Sequence, residues 1–127
     1  MKLTRRQIKE LIVEAWRGRI FTLPLPQGPV DLPVPEGFSK RKDRPDKLNP
    51  GLHEIELMSH DKQRMMDISV NLKTGGIAIH IFVRNPDNKV FTFVAMSTIW
   101  PGSSEAEIFE DYAEMIEVLK NENPEWM

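Results

Sequence analysis

The sequence predicts an α+β fold: a three- to four-stranded antiparallel meander with an N-terminal and a C-terminal helix packed on it and a proline-rich extended connector between the first helix and the sheet. Three observations carry that expectation. Apolar residues recur at helical spacing near both ends of the chain, polar and apolar residues alternate through its middle, and seven of the ten prolines fall between Thr22 and Pro50. The 127 residues fit one domain, 1–127, divided into a helix (1–19), a basic proline-rich connector (20–50), an antiparallel sheet (51–101) and an acidic helix (102–122).

The first helix has a readable start and stop. Thr4 and Gln7 fit a capping box, and Leu3 and Ile8 a hydrophobic staple. Ile8, Leu11, Ile12, Ala15 and Trp16 form one apolar stripe, and Gly18 suits the left-handed residue that ends a helix. Arg5 and Arg6 lie in the first turn, where the helix dipole disfavours cations, so they stand out as candidate partner-binding residues.

The connector contains an internal echo. Leu23-Pro-Leu-Pro-Gln-Gly28 is matched nine residues later by Leu32-Pro-Val-Pro-Glu-Gly37. Alternating prolines favour polyproline geometry and argue against a helix or a central strand. The interleaved Leu23, Leu25, Val30, Leu32, Val34 and Phe38 suit a strap lying on apolar surface, in preference to a ligand for a proline-binding module. Ser39–Lys47 then reads as an exposed basic loop. Its Lys40, Arg41, Lys42, Arg44 and Lys47 are further candidate partner-binding cations.

The meander follows. A short strand is expected at Glu54–Met58 with Ile55 and Leu57 inward. Met66, Ile68, Val70 and Leu72 alternate with polar residues, and Thr74-Gly75-Gly76 is a hairpin signal. Ile77–Val83 is apolar on both faces and reads as a central strand; Asn85–Asn88 is turn chemistry, and Val90–Met96 is the last strand. The final helix is signalled by Ser104 and Glu107 as a capping box and by the stripe Ile108, Phe109, Tyr112, Met115, Ile116 and Leu119. Its other faces are acidic, Asn121, Asn123 and Pro124 end it, and Trp126 is placed to fold back as an anchor.

Composition narrows the function. The chain lacks cysteine, which removes disulfides, thiolate metal sites and cysteine nucleophiles. It has no apolar run long enough to span a bilayer and no recognisable secretory signal, so no membrane span and a cytoplasmic location are expected. The net charge of −2 is unevenly spread. Residues 1–50 hold eleven cations and six anions, and residues 51–127 hold six cations and thirteen anions. Such asymmetry suits either an acidic partner or attraction between the two parts of the chain.

No catalytic, cofactor or metal motif stands out, and no catalytic residue, cofactor or metal ligand is assigned. His53, His60 and His80 lack ligand spacing. Ser59-His60-Asp61 holds the residue types of a triad, but sequence neighbours cannot assemble one. Gly75-Gly76 lies between strands, whereas phosphate loops precede a helix. A small enzyme or ligand-binding protein would require an enclosed pocket with His60 or His80 beside Arg84, Asp61 or Asp67. The favoured reading is a non-catalytic accessory or assembly protein that binds a protein partner or itself. Phe82 or Val94 would extend an apolar sheet face in a homo-oligomer. The alternative is a nucleic-acid-binding module using the basic half.

The opening Met-Lys-Leu-Thr-Arg-Arg-Gln-Ile-Lys-Glu-Leu-Ile resembles the start of small proteins of T-even-like phages, marine ones in particular. Some internal head proteins of that group carry N-terminal helical tags cut by a prohead protease after Ile/Leu-x-Glu, and Ile12-Val13-Glu14-Ala15 is similar to such a site. The resemblance covers about fifteen residues and implies a phage origin and processing near residue 14; from Trp16 onward the chain resembles no family.

Overall fold

A computed structural model describes residues 19–124. Seven strands and one helix follow one another: β1 (Ile20–Leu23), β2 (Val30–Pro33), β3 (Phe38–Pro45), β4 (Leu52–Ser59), β5 (Arg64–Asn71), β6 (Ile77–Arg84), β7 (Phe91–Ile99) and α1 (Glu105–Asn121). β1 and β2 form a two-stranded antiparallel ribbon. β3 to β7 form a five-stranded antiparallel meander in chain order.

This overturns the α+β arrangement of three or four strands and two helices. Among the described residues the protein is mostly β, with a single helix at the C-terminal end. The expected first helix, its candidate cations Arg5 and Arg6, and the tail around Trp126 lie outside the described residues.

The correction falls on the connector, which folds into three strands. Pro24, Pro26 and Pro29 sit in the link between β1 and β2, where no ladder needs their missing N–H, and Pro33 closes the ribbon opposite Ile20. The sequence echo encodes two turns. Leu23 ends β1 and Leu32 stands one residue before the end of β2, and Gly28 and Gly37 turn the chain at φ 139° and 85°, values that suit glycine. Phe38 then begins β3, its amide donating to the Pro35 carbonyl over 3.1 Å.

The basic segment is likewise a strand where an exposed loop was expected. β3 is the edge of the large sheet, and its register on β4 shifts between Lys40 and Lys42. Charges and a bulge are the devices that keep an exposed edge from pairing with another chain, which explains why a strand can read as a solvated run.

The remaining elements lie where alternation and capping put them. β4, β5 and β6 turn Ile55, Leu57, Met66, Ile68, Val70, Ile77, Ile79 and Ile81 to one buried face. α1 lays Ile108, Phe109, Tyr112, Met115, Ile116 and Leu119 on that face, and Phe21, Leu23, Leu25, Val30 and Leu32 of the ribbon join the same core. Full burial of each large side chain contributes roughly 1.5–3 kcal/mol, so this shared interior is the main source of stability.

Polar contacts tie the layers. Ser104 Oγ accepts from the Glu107 amide at 3.1 Å while the Glu107 carboxylate accepts from the Ser104 amide at 3.2 Å, completing the capping box. At the other end Arg64 donates to the carbonyls of Leu119 and Glu122 at 2.9 and 2.7 Å and to Asn123 Oδ1 at 2.5 Å, placing a cation against the negative end of the helix. The buried Tyr112 hydroxyl donates to the Pro33 carbonyl at 2.5 Å, and its ring meets Phe21 edge-on at 5.7 Å. The Arg19 guanidinium donates to the Phe38 carbonyl.

Candidate functional site

Because successive strand residues point to opposite faces, the register that buries one side of the sheet defines the other. Two cross-strand rows run over the side away from α1. One reads Lys42, Glu56, Asp67, His80, Met96; the next reads Ser39, Met58, Met65, Phe82, Phe93. Glu54 and Arg44 are opposite one another in a third row, with Ser69, Ala78 and Thr98. The face therefore holds an acidic group from β4 and β5 beside an apolar group from β5, β6 and β7. Among the described residues no strand or helix lies across it.

The apolar group is well formed. The Phe82 and Phe93 rings meet edge-on at 6.0 Å, and His80 lies 6.5 Å from Phe82 and 6.0 Å from Phe93. Such contacts favour offset or edge geometries of the aromatic quadrupoles. Phe93 and Met96 are exposed. Of the two residues expected to extend an apolar face, Phe82 does so. Val94 is packed against the core instead, because the register of β7 on β6 shifts there and turns Phe93 outward in its place.

The acidic group is electrostatically frustrated. Burial pushes the Asp67 carboxyl up, the neighbouring Glu54 and Glu56 carboxylates push it further, and His80 and Lys42 oppose them. Asp67 Oδ1 is buried and has no hydrogen-bond partner among the described residues. The Lys42 ammonium lies 3.3 Å from Glu54 and 3.8 Å from Glu56. A cationic group brought to this face would relieve that surplus of negative charge.

The candidate cations separate into engaged and unengaged groups. Lys40 bonds Asp43 at 2.8 Å and Lys42 faces the glutamates, whereas Arg41, Arg44 and Lys47 form no ion pair among the described residues. Lys40, Arg41, Lys42 and Arg44 share β3, and Lys47 sits in the turn to β4 that the Asp46 carboxylate organises through the amides of Leu48 and Asn49.

The pocket candidates His60, His80 and Arg84 do not share one pocket, although His80 faces Asp67 across β5 and β6. His80 and Arg84 point the same way from β6 but lie four residues, about 13 Å, apart. His60, in the turn after β4, meets Ser39 Oγ through Nε2 at 3.1 Å. Ser59 Oγ donates to Asp61 at 2.5 Å and accepts from the Gln63 and Arg64 amides, so Ser59-His60-Asp61 organises a hairpin turn. The Ser59 hydroxyl and the Gln63 amide hold the Asp61 carboxyl below its usual range. Arg84 and Asp61 line a shallow groove of about 500 Å³ with no histidine in it, and His60 and Asp61 line a second, more open groove of about 380 Å³.

His53 has a structural role that sequence spacing does not show. Its Nε2 meets Asp43 Oδ1 at 2.5 Å, joining β4 to β3. Burial alone raises the Asp43 carboxyl, but hydrogen bonds from Lys40 and His53 outweigh it and hold the group below the ordinary value. Among the described residues no group of three or more histidine, aspartate or glutamate side chains could hold a metal ion, and no helix is long and apolar enough to cross a membrane.

Glu54, Glu56, Met65 and Phe93 were not singled out from the sequence, and Asp67 was named only as a neighbour for a pocket histidine, which it is: it faces His80 across β5 and β6. The polar phase of the alternation in β4 and β5 marks the three acids as outward-facing, but only cross-strand register brings them together. No protein-family model, no curated protein and no solved structure matches the chain.

Proposed function

We propose that the protein is a non-catalytic accessory or assembly protein that acts by binding other proteins, and that it binds through the sheet face opposite α1. One observation supports this most: an aromatic and methionine patch, Phe82 with Phe93 and Met96, stands beside the acidic group of Glu54, Glu56 and Asp67, in which Asp67 Oδ1 has no hydrogen-bond partner among the described residues. Apolar surface rimmed by charge is the composition of a recognition site. The partner it suits presents an apolar side chain flanked by lysine or arginine. The phage-like opening residues favour a role in particle assembly.

Affinity capture from the native host tests the reading, with wild type compared against Phe82→Ser. Phe82 sits mid-face on a central strand, and its loss should abolish retention of the wild-type partner while the circular dichroism spectrum is kept. A partner held equally by both proteins would refute the assignment of this face.

A second reading is favoured by Arg41, Arg44 and Lys47, which make no ion pair among the described residues. These cations suit phosphate contacts, which position a protein on nucleic acid without reading sequence. Filter binding at two salt concentrations tests it: retention that falls steeply with salt supports it, and no retention at low salt removes it.

A further inference from the structure

We propose that the protein docks on anionic lipid surfaces by one end of the fold, through the turns that carry Leu48 and Trp100. The antiparallel meander brings three connections to that end: the β3–β4 turn, the β5–β6 turn and the loop from β7 into α1. The Leu72 amide donates to the Gly51 carbonyl at 3.0 Å, tying the β5–β6 turn to the β3–β4 turn. A Cβ placed on Gly76 would lie 3.5 Å from Pro101, and one on Gly75 would lie 2.8 Å from Gln27, so the β7–α1 loop and the β1–β2 link close on the same turn. Leu48 and Trp100 are the two most exposed large apolar side chains among the described residues, at 97% and 77%. Ordered backbone holds both of them out. Asp46 Oδ1 accepts from the amides of Leu48 and Asn49, and Ser103 donates its amide and its hydroxyl to the Trp100 carbonyl at 3.2 and 2.7 Å.

The charges of this end suit an anionic surface. With strands about 4.8 Å apart, three and a half spacings separate the β3–β4 turn from β7 by about 17 Å. Lys73, in the β5–β6 turn, stands between the two apolar tips, and Lys47 precedes Leu48. Neither ammonium forms an ion pair among the described residues. The nearby acids are engaged within the chain. Asp46 organises its own turn, Asp31 accepts from Thr22 Oγ1 at 2.6 Å, and Glu105 and Glu107 at the start of α1 have interactions of their own. Two apolar tips on separate protruding turns would need two matched hollows on a rigid partner, whereas a fluid interface accepts both at once. An indole suits the headgroup level, which accommodates both its apolar ring and its polar N–H. Lasting attachment to a bilayer takes more than one signal; inserted side chains and lysines facing anionic headgroups supply two.

Cosedimentation of the full chain with phosphatidylcholine vesicles, with and without phosphatidylserine, tests the inference at low and at high salt. Wild type should bind the phosphatidylserine vesicles better than the neutral ones, and high salt should narrow the difference by screening the lysines. Trp100→Ser and Leu48→Ser should each lower binding about tenfold, the scale of one partly buried apolar side chain. Both should keep the circular dichroism spectrum, because both side chains stand in solvent. Lys73→Glu should lower binding to the phosphatidylserine vesicles alone. Met96→Ser, on the sheet face opposite α1, should leave binding unchanged. Wild type that stays in the supernatant overturns the inference, as does equal binding to both kinds of vesicle. Binding that survives both tip substitutions also overturns it, since the basic opening residues would then carry the contact. Tip substitutions that release a protein partner from host lysate while vesicles stay unbound overturn it in favour of a protein interface. Phe82→Ser tests the sheet face separately, so either reading can fail without the other.

Discussion

Replacing Tyr112 with phenylalanine removes one oxygen from the middle of the core and isolates how the β1–β2 ribbon is held to the rest of the protein. The hydroxyl is buried and donates to the Pro33 carbonyl at 2.5 Å across 79 residues of sequence. Phenylalanine keeps the ring and its edge contact with Phe21 at 5.7 Å, so packing is conserved and only the hydrogen bond is lost. The Pro33 carbonyl then stays buried without this donor, and a group stranded in that way costs about 1–3 kcal/mol. In a domain of this size each kcal/mol lowers Tm by about 3–5 °C, so a loss of roughly 2 kcal/mol should lower it by about 6–10 °C. Thermal and urea unfolding followed by circular dichroism measure both. The m-value should be unchanged, because the surface exposed on unfolding is the same. A shift under about 1 °C would mean that the hydroxyl does not secure the ribbon. The same residue offers a spectroscopic check. Burial pushes the Tyr112 phenol well above its ordinary value of 10.0, and it is the only tyrosine of the chain. The neutral phenol's contribution is complete below the unfolded value and is lost as pH rises past it. In an alkaline titration the tyrosinate absorbance should therefore appear together with unfolding and not before.

Three further outcomes follow from named contacts. Asp67→Asn removes a carboxylate whose folded pKa lies above its unfolded value of 3.8. Wild type is favoured below that value and loses stability as pH rises through the folded pKa, so the variant should have the higher Tm at neutral pH and a flatter pH dependence above pH 4. A lower Tm for the variant at neutral pH would contradict the frustrated acidic group. Arg64→Ala breaks three bonds to the C-terminal end of α1 and should cost about 1.5–3 kcal/mol in urea unfolding; a cost under 0.5 kcal/mol, on the order of an exposed ion pair, would show that the clasp is not made in solution. Ser104→Ala removes the cap of α1 and should cost about 1 kcal/mol, measured the same way, and no change would refute the capping box.

The elements that could be read from sequence are those defined by contacts near in the chain. The capping box of Ser104 and Glu107 spans three residues, and the alternation through β5 and β6 needs only one strand and a water-facing side. The first three strands were hidden for a different reason. Their prolines lie in turns or at strand ends, and the charges of β3 mark a sheet edge; both patterns imitate a loop until the pairing partner is known. The sheet face opposite α1 was half legible. Phe82 and the outward phase of Glu54, Glu56 and Asp67 follow from period two. Their meeting depends on cross-strand register, and the exchange of Phe93 for Val94 depends on a one-residue shift that propensity does not encode.

Solvent paramagnetic relaxation of methyl-labelled methionine tests most directly whether α1 covers one sheet face and leaves the other for binding. Met96 lies exposed on the sheet face opposite α1, and Met66 and Met115 are buried where sheet and helix meet. A soluble paramagnetic agent should broaden the Met96 methyl strongly and leave Met66 and Met115 almost unchanged. Equal protection of all three methyls in the dilute protein would contradict an accessible binding face, and equal broadening would contradict the shared core beneath α1.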